Sequence, residues 1–388
     1  RMKKYLHIGL TAVPVRSDFF FFLRNWTDAH RNENTFFHLS LPEHLLKTVK
    51  KVEYSWRWTF RPLYYRRVAM YLCNEIGRIV REATAAGQDI ILYLPDDGYW
   101  AELLVDIRAK LGTRMKIVYV QHGMARLVQT STISERLRRT FNTLSRLLSG
   151  WPMFGYGFGS AAIDAYIVCL PAEAAYVTEN FDTPAHVAPW FVWARHFERV
   201  ATWDIQAAHP RRLLFATSPL FSRRLDIFGN ASRHQQQYFA DITTCLRAIK
   251  METGCEILVR FHPNEDRQQA EALFHSNGLD EIAEIDKNFD LMDSLQVCSF
   301  VMSYASTVLL ESVLIGRVPI HFIPEAYPSH AMSFMNEPLR LRHSHDGTQI
   351  ITTDHSDLRQ LFSERTIEKY AKATSPLDYS TQLPWLQT

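Results

Sequence analysis

The stretch from Glu256 to Phe322 constrains the fold of this chain more than any other. Three short apolar runs, Glu256–Phe261, Val297–Met302 and Val318–Phe322, are separated by helical patterns, and Gly316 closes the last helix. Strands that alternate with helices predict a parallel sheet. Ligands of such sheets bind at the carboxyl ends of the strands. We therefore predict an α/β protein whose binding residues directly follow these strands.

Two polar motifs stand at the predicted strand ends. His262-Pro263 follows the first run, and Pro263 fixes where the strand stops because proline cannot continue the ladder. Ser303 to Thr307 follow the second run, and Ser306 or Thr307 is placed to cap the next helix. Free backbone amides at a helix start attract phosphate. The turn therefore predicts either a phosphate site or a helix cap without a ligand.

Length and composition indicate a soluble protein of two domains. The chain has 388 residues, 47% of them hydrophobic and 22% charged, which is typical of globular proteins. A polar, irregular segment is predicted over 193–210, and the domains are predicted as 1–192 and 193–388. The net charge of +2 argues against a general nucleic-acid binder. No apolar run approaches the roughly 20 residues of a membrane span.

The predicted compartment is the cytoplasm. The first residues lack the apolar core of a signal peptide. Five cysteines without CxxC spacing read as free thiols.

The first half also predicts alternating strands and helices. Its predicted helices are Val68–Ala85, Tyr99–Leu111 and Ser134–Leu148, and its predicted strands are Tyr5–Leu10, Asp89–Leu94, Met115–Val120, Ala162–Leu170 and Val187–Phe191. In the second half, Arg212–Ala216 predicts a strand and Gln235–Thr253 a helix.

Further candidate residues follow these strands. Asp96-Asp97-Gly98 comes after Asp89–Leu94 and predicts either a tight turn or a carboxylate pair, of which one member has a raised pKa and acts as a general base. Gln121 and His122 come after Met115–Val120; His122 serves catalysis, acceptor binding or only the structure. Thr217 and Ser218 form a hydroxyl-rich loop after Arg212–Ala216.

Two segments interleave basic and apolar residues. Tyr54–Tyr71 mixes aromatic residues with arginines, and Ser134–Leu148 predicts a basic amphipathic helix. Arginine stems that cover aromatic rings, and a solvated polar face, are one explanation. The other is a surface that meets an anionic glycan or an anionic membrane.

The order of three motifs resembles that of the bacterial sialyltransferases and polysialyltransferases. Asp96-Asp97-Gly98, His262-Pro263 and Ser306-Thr307 match their (Asp/Glu)-(Asp/Glu)-Gly, His-Pro and Ser-(Ser/Thr) motifs. The separation 262 − 96 = 166 residues places one motif in each half. This resemblance implies the glycosyltransferase-B (GT-B) fold, in which two Rossmann-like domains face each other across a cleft.

The resemblance also implies a reaction. An acidic sugar, such as sialic acid, a related nonulosonate or Kdo, would pass with inversion from a CMP-sugar to a cell-surface glycan or glycolipid. No cofactor and no metal are expected, since the chain has no Asp-x-Asp and CMP carries one phosphate. The cysteines, rather than this resemblance, predict the cytoplasm, and the basic amphipathic segments add peripheral contact at the inner membrane as an expectation.

Roles for single residues follow from the same resemblance. Asp96 or Asp97 would take the acceptor proton, and His262 would stabilise or protonate the leaving phosphate. Ser306 and Thr307 would hold that phosphate. The remaining candidates would border the nucleotide or the acceptor: Thr217, Ser218, Pro263, Ser303 and Glu325 on the nucleotide side, and Gly98, Gln121 and His122 on the acceptor side.

Alternatives remain open at this point. Gln121-His122-Gly123 looks more like the capsule and teichoic-acid-type transferases, for which the donor would be a CDP-polyol. The chain could also be a non-catalytic nucleotide-sugar-binding protein of the same fold, or an epimerase that acts on a UDP-sugar without an acceptor.

Overall fold

The computed structural model describes residues 4–11, 20–31, 33–53, 61–95, 99–121, 132–153, 162–169, 171–181, 183–203, 209–217, 231–263, 265–288, 290–303, 306–322, 350–352 and 383. The chain divides into two compact units. The first comprises Arg1–Arg195 with Asp378–Thr388, and the second comprises His196–Leu377.

The first unit is built on a parallel sheet of six strands in the order β2-β1-β3-β4-β5-β6. Its strands are β1 (Lys4–Thr11), β2 (Asn34–Ser40), β3 (Gln88–Leu94), β4 (Lys116–Val120), β5 (Ala165–Val168) and β6 (Ala185–Val187). Its helices are α1 (Phe21–Ala29), α2 (Glu43–Glu53), α3 (Arg61–Tyr64), α4 (Arg66–Ala85), α5 (Tyr99–Leu111), α6 (Thr132–Ser149), α7 (Pro171–Phe181) and the first part of α8 (Trp190–Val200).

The second unit is built on another six-stranded parallel sheet, in the order β12-β11-β10-β7-β8-β9. Its strands are β7 (His209–Ala216), β8 (Glu256–Arg260), β9 (Glu284–Ile285), β10 (Cys298–Ser303), β11 (Val318–Phe322) and β12 (Ile350–Thr352). Its helices are α9 (Ala231–Thr253), α10 (Arg267–Ser276), α11 (Leu291–Val297) and α12 (Val308–Leu314). Counted from β7, this is the 3-2-1-4-5-6 order of a Rossmann domain.

Side chains of the second sheet alternate between two apolar layers. Leu213 and Phe215 of β7 pack in one cluster with Phe239 of α9, whereas Leu214 and Ala216 pack in another on the opposite face. Alternation follows from the two-residue period of a strand. Both faces are buried, as expected for a parallel sheet covered by helices.

These observations confirm the fold class predicted from the sequence, two Rossmann-like α/β domains. The strands around His262 and Ser303 and the helices α4, α5, α6 and α9 lie where the sequence patterns predicted them, within a few residues at their ends.

Two local predictions at the end of the first half are wrong. The predicted strand Val187–Phe191 ends at Val187. The segment predicted to be irregular from Trp193 onward belongs to a helix that is kinked at Trp193 and continues to Val200. Pro189 explains the change, because it cannot donate to a strand ladder and its carbonyl accepts from Val192 N and Trp193 N in a helix-like turn.

The first sheet contains a buried polar network centred on His7 of β1. His7 is fully buried, and its Nε2 donates to Asn34 Oδ1 of β2 over 3.0 Å. Tyr93 OH of β3 lies 2.9 Å from His7 Nδ1 and can donate to it when the ring is neutral. Burial lowers the pKa of His7 to about 4, so the ring is uncharged at neutral pH.

We expect His7 to make the folded state less stable in mild acid. An unfolded chain protonates this histidine below about pH 6.5, whereas the folded state excludes the proton until about pH 4. The contribution of His7 to the free energy of unfolding is therefore fully present above pH 6.5, and about 3 kcal/mol of it is lost as the pH falls to 4. Thermal unfolding measured from pH 4 to pH 8 on the wild type and on His7→Gln checks this. Parallel curves of melting temperature against pH for the two proteins would contradict it.

Candidate functional site

Predicted site residues of the second unit meet where the strand order reverses, between β7 and β10. Ligands of doubly wound sheets bind outside the strand ends at this kind of switch point. Thr217 directly follows β7, His262 follows β8 by one residue, and Ser303 is the last residue of β10. The His262 backbone N–H donates to Thr217 Oγ1 over 2.9 Å, and Ser303 Oγ donates to the Ala216 carbonyl over 2.6 Å.

The backbone of the His-Pro turn is held by the carboxylate of the partly buried Glu265. Glu265 Oε2 accepts from the His262 backbone N–H over 2.8 Å, and the Thr217 hydroxyl donates to the same oxygen. The Glu265 N–H in turn donates to the His262 carbonyl over 3.0 Å, which closes the turn. Burial raises the pKa of Glu265, while its hydrogen bonds to Thr217 and to the His262 N–H oppose that rise. Glu265 thus fixes the backbone from which the imidazole projects.

An ion pair braces the end of β8. Arg260, the last residue of the strand, donates to Asp286 Oδ2 over 2.7 Å and to the Asn288 carbonyl over 2.8 Å. Asp286 is buried, and Ser294 also donates to it. A buried carboxylate is tolerated because guanidinium and hydroxyl donors satisfy it. Because the Arg260 carbonyl also accepts from Thr217 N over 2.9 Å, this cluster and the His-Pro turn share one strand end.

The serine-rich turn opens α12 as predicted. Ser306 Oγ accepts from Val308 N over 3.4 Å, and Thr307 is exposed beside it. In the first turn of α12, the buried Glu311 accepts from His196 Nε2 of α8 over 3.0 Å. This contact joins α12 to the part of α8 that belongs to the second unit, and it thereby helps to fix the position of the serine-rich turn.

The site therefore has two layers. Thr217 and Ser303 are buried, and their hydroxyls bond to neighbouring protein groups. His262 is half-buried, Pro263 and Thr307 are exposed, and Ser306 is half-buried, so these four reach the edge of the sheet. Burial lowers the pKa of His262, which makes its imidazole a neutral hydrogen-bond donor at neutral pH.

Gln121 directly follows β4 in the first unit, and both ends of its side-chain amide form hydrogen bonds there. Its Nε2 donates to Glu173 Oε1 of α7 over 2.6 Å, and its Oε1 accepts from Cys169 N over 2.8 Å. The side chain is buried and ties β4 to β5 and α7. The other candidates Asp96, Asp97, Gly98, His122, Ser218 and Glu325 lie outside the described residues.

Sequence reasoning missed Glu265 and the Arg260–Asp286 pair. An acidic residue three positions after the histidine, in His262-Pro263-Asn264-Glu265, is the signal that could have found the first. Asp286 had no such signal, because it reaches Arg260 only through the pairing of β8 with β9. Within the described ranges, no cluster of three or more His, Cys, Asp or Glu side chains could hold a metal ion.

Comparison with known proteins identifies the fold through solved structures and not through the sequence. No protein-family model and no curated protein matches the sequence. Among solved structures, a putative UDP-N-acetylglucosamine 2-epimerase from Listeria monocytogenes is similar with a TM-score of 0.52 and 13% identity, covering 97% of this chain and 92% of that one. S. aureus MnaA, solved with UDP, gives a TM-score of 0.50 at 11% identity over 96% of this chain and 92% of its own. Another UDP-N-acetylglucosamine 2-epimerase gives 0.52 at 10% identity over 96% and 91%. This chain shares the GT-B fold with these proteins.

Proposed function

We propose that this protein is an inverting glycosyltransferase that moves an acidic sugar from a CMP-sugar donor to a glycan or glycolipid acceptor. The acceptor oxygen forms a bond to the anomeric carbon, the bond from that carbon to the phosphate oxygen breaks, and CMP leaves. The observation that carries the proposal is that β7, β8 and β10 are adjacent strands of a Rossmann-ordered sheet, so that Thr217, His262 and Ser303, the first residue of the serine-rich turn, follow or end neighbouring strands at its switch point.

Each residue of the site has a role that suits a phosphate leaving group. A neutral His262 donates a hydrogen bond to the phosphate as its negative charge develops, and Ser306 and Thr307 add hydroxyl donors. Asp96 or Asp97 takes the proton of the attacking hydroxyl as general base. The helix α12 has only seven residues, so these side chains, rather than a helix dipole, are the basis of phosphate binding.

The buried residues Thr217 and Ser303 hold their neighbours in position and are not proposed to contact the donor. Because Thr217 already bonds to Glu265 and to the His262 N–H, we assign it to the support of the turn. Ser303 joins β10 to β7 in the same way. Ser218, Pro263 and Glu325 remain the proposed neighbours of the nucleotide.

A donor panel tests the function. The protein is incubated with CMP-sialic acid, CMP-Kdo, CDP-glycerol and UDP-N-acetylglucosamine, with and without a glycan acceptor, and the released nucleotide is measured. We expect acceptor-dependent release of CMP, and CMP rather than UDP should raise the melting temperature. Acceptor-dependent release of CMP from CDP-glycerol would assign a capsule or teichoic-acid-type reaction instead. Stabilisation by a nucleotide without any turnover would identify a non-catalytic binding protein.

An epimerase is the second candidate, favoured by the similarity to UDP-N-acetylglucosamine 2-epimerases. It would need no acceptor and would turn a UDP-sugar into a product of altered stereochemistry. In the same panel, NMR of the UDP-N-acetylglucosamine reaction distinguishes it. A new sugar isomer formed without acceptor, together with stabilisation by UDP, would overturn the transferase proposal.

We expect His262→Ala to lower the rate of transfer by about 10²–10⁴-fold, the usual contribution of a positioned acid–base group. The loss should fall on kcat, because the leaving phosphate gains charge mainly in the transition state. Steady-state kinetics with the active donor measure it. The matched control is His275→Ala, an exposed histidine of α10 in the same unit, which should leave the rate unchanged. Equal rates for wild type and His262→Ala would exclude the assigned role.

Glu265 is expected to act as a positioning residue for His262. Glu265→Ala removes one of the two acceptors of the His262 N–H and the carboxylate to which Thr217 donates, and a shift of the imidazole by about 1 Å can cost about 10²-fold in kcat. Glu265→Gln keeps an amide oxygen that can accept from the same N–H, and it should restore most of the rate. Kinetics of both variants, with circular dichroism to confirm folding, provide the measurement. If the glutamine variant is as slow as the alanine variant, the carboxylate acts by some means other than this hydrogen bond.

A further inference from the structure

The helix α6 in the first unit exposes an apolar stripe. Leu137, Phe141, Leu144 and Leu148 recur every three or four residues, so they share one side of the helix. Their side chains are 49–88% exposed, and the neighbouring Leu147 is 78% exposed. Surface leucines scattered singly are ordinary, but a contiguous apolar patch marks a binding surface.

Polar contacts hold α6 in this orientation. Asn142 is fully buried, and its Oδ1 accepts from Met153 N over 2.9 Å. Ser145 Oγ donates to the Trp151 carbonyl over 2.9 Å. Arg146 donates to the carboxylates of Asp106 and Glu102 on α5 at distances of 2.8–3.0 Å. The helix thus packs through its polar residues and leaves its leucines outside, the reverse of a core helix.

The short helix α3, next to α6, adds further exposed apolar side chains. It packs against α2, α4 and α6. Its Leu63 is 72% exposed, and Met70 near the start of α4 is 50% exposed. A cavity of about 430 Å³ opens beside α3, and its walls include Tyr64, Arg67 and His44. Exposed apolar side chains and the guanidinium of Arg67 therefore adjoin one another.

The charge around the stripe is positive. Residues 61–71 contain three arginines and no acidic residue, and α6 contains one glutamate and four arginines, of which Arg146 is paired with Asp106 and Glu102 of α5. Arg66, Arg67 and Arg139 are exposed. A second copy of the chain that docked symmetrically on this face would bring like charges together, which opposes association. Anionic phospholipid headgroups would instead complement the arginines.

We propose that α6 and α3 form a docking surface for an anionic lipid bilayer. In this arrangement α6 lies in the plane of the membrane interface, its leucines enter the acyl boundary, and the arginines contact lipid phosphates. This is the binding mode of monotopic amphipathic helices. Among the described residues, no helix has the length and apolarity needed to cross the bilayer. The proposal concerns attachment and holds whichever reaction the second unit supports.

Vesicle binding tests it with the full chain. We expect co-sedimentation with vesicles of phosphatidylcholine and phosphatidylglycerol in low salt, weaker binding to pure phosphatidylcholine, and release as the salt concentration rises. The double variant Leu144→Ser and Leu148→Ser should lower binding by about tenfold or more. The variant Arg66→Gln and Arg67→Gln should lower it by about fivefold for each arginine. The control Met251→Ser changes an apolar side chain of α9 in the second unit that is 80% exposed, and it should have no effect.

Because the altered side chains are exposed, the variants should keep the melting temperature of the wild type, which is measured in parallel. Failure of the wild type to bind anionic vesicles in low salt would overturn the proposal, as would unchanged binding by the leucine variant. Analytical ultracentrifugation of the wild type completes the test. A dimer that the leucine variant dissociates would assign the stripe to a second copy of the chain instead.

Discussion

Parallel pairing of the strands is the constraint on which the rest of the structure depends. Every strand pair in both sheets is parallel, so all the strands of one sheet end at the same edge. Residues far apart in the sequence, such as Thr217, His262 and Ser303, are therefore brought together by the pairing of the strands that they follow or end. The strand order then reverses between β7 and β10 and leaves the loops on that edge diverging.

Hydrogen bonds within the protein hold His262 and the end of β8 in position at this edge, without help from the proposed substrate. The His262 N–H is satisfied twice, by Thr217 and by Glu265, and the end of β8 is tied through Arg260 to Asp286. A group that must stabilise charge in a transition state gains most when it is already oriented before the reaction. Desolvation of the buried Asp286 and the partly buried Glu265 has a cost, and several well-placed donors offset that cost. This arrangement favours a precise task for His262 rather than a structural one.

The first unit has an exposed apolar surface, the stripe on α6. The apolar stripe of α6 contributes nothing to the core, and the helix is held by Asn142, Ser145 and Arg146 instead. A soluble protein tolerates such a stripe when a binding partner covers it. The proposed attachment through α6 and the proposed chemistry at His262 involve residues of separate units, so each proposal can be tested by mutations that leave the other unit unchanged.

The sequence by itself determined the fold class, most of the strands and the residues at their ends, because apolar periodicity and proline are local signals. It did not reveal β2, which is half-exposed, or β9, which is very short, because neither has a clear apolar pattern. It also predicted a strand where the turn at Pro189 ends β6 and begins α8. Only the tertiary structure decided that Thr217 and Ser303 turn inward while His262 stays at the edge, since this depends on hydrogen bonds between residues up to 87 positions apart. The same holds for α6. An amphipathic sequence shows that a helix has two faces, but only the contacts of the folded chain decide which of them faces the solvent.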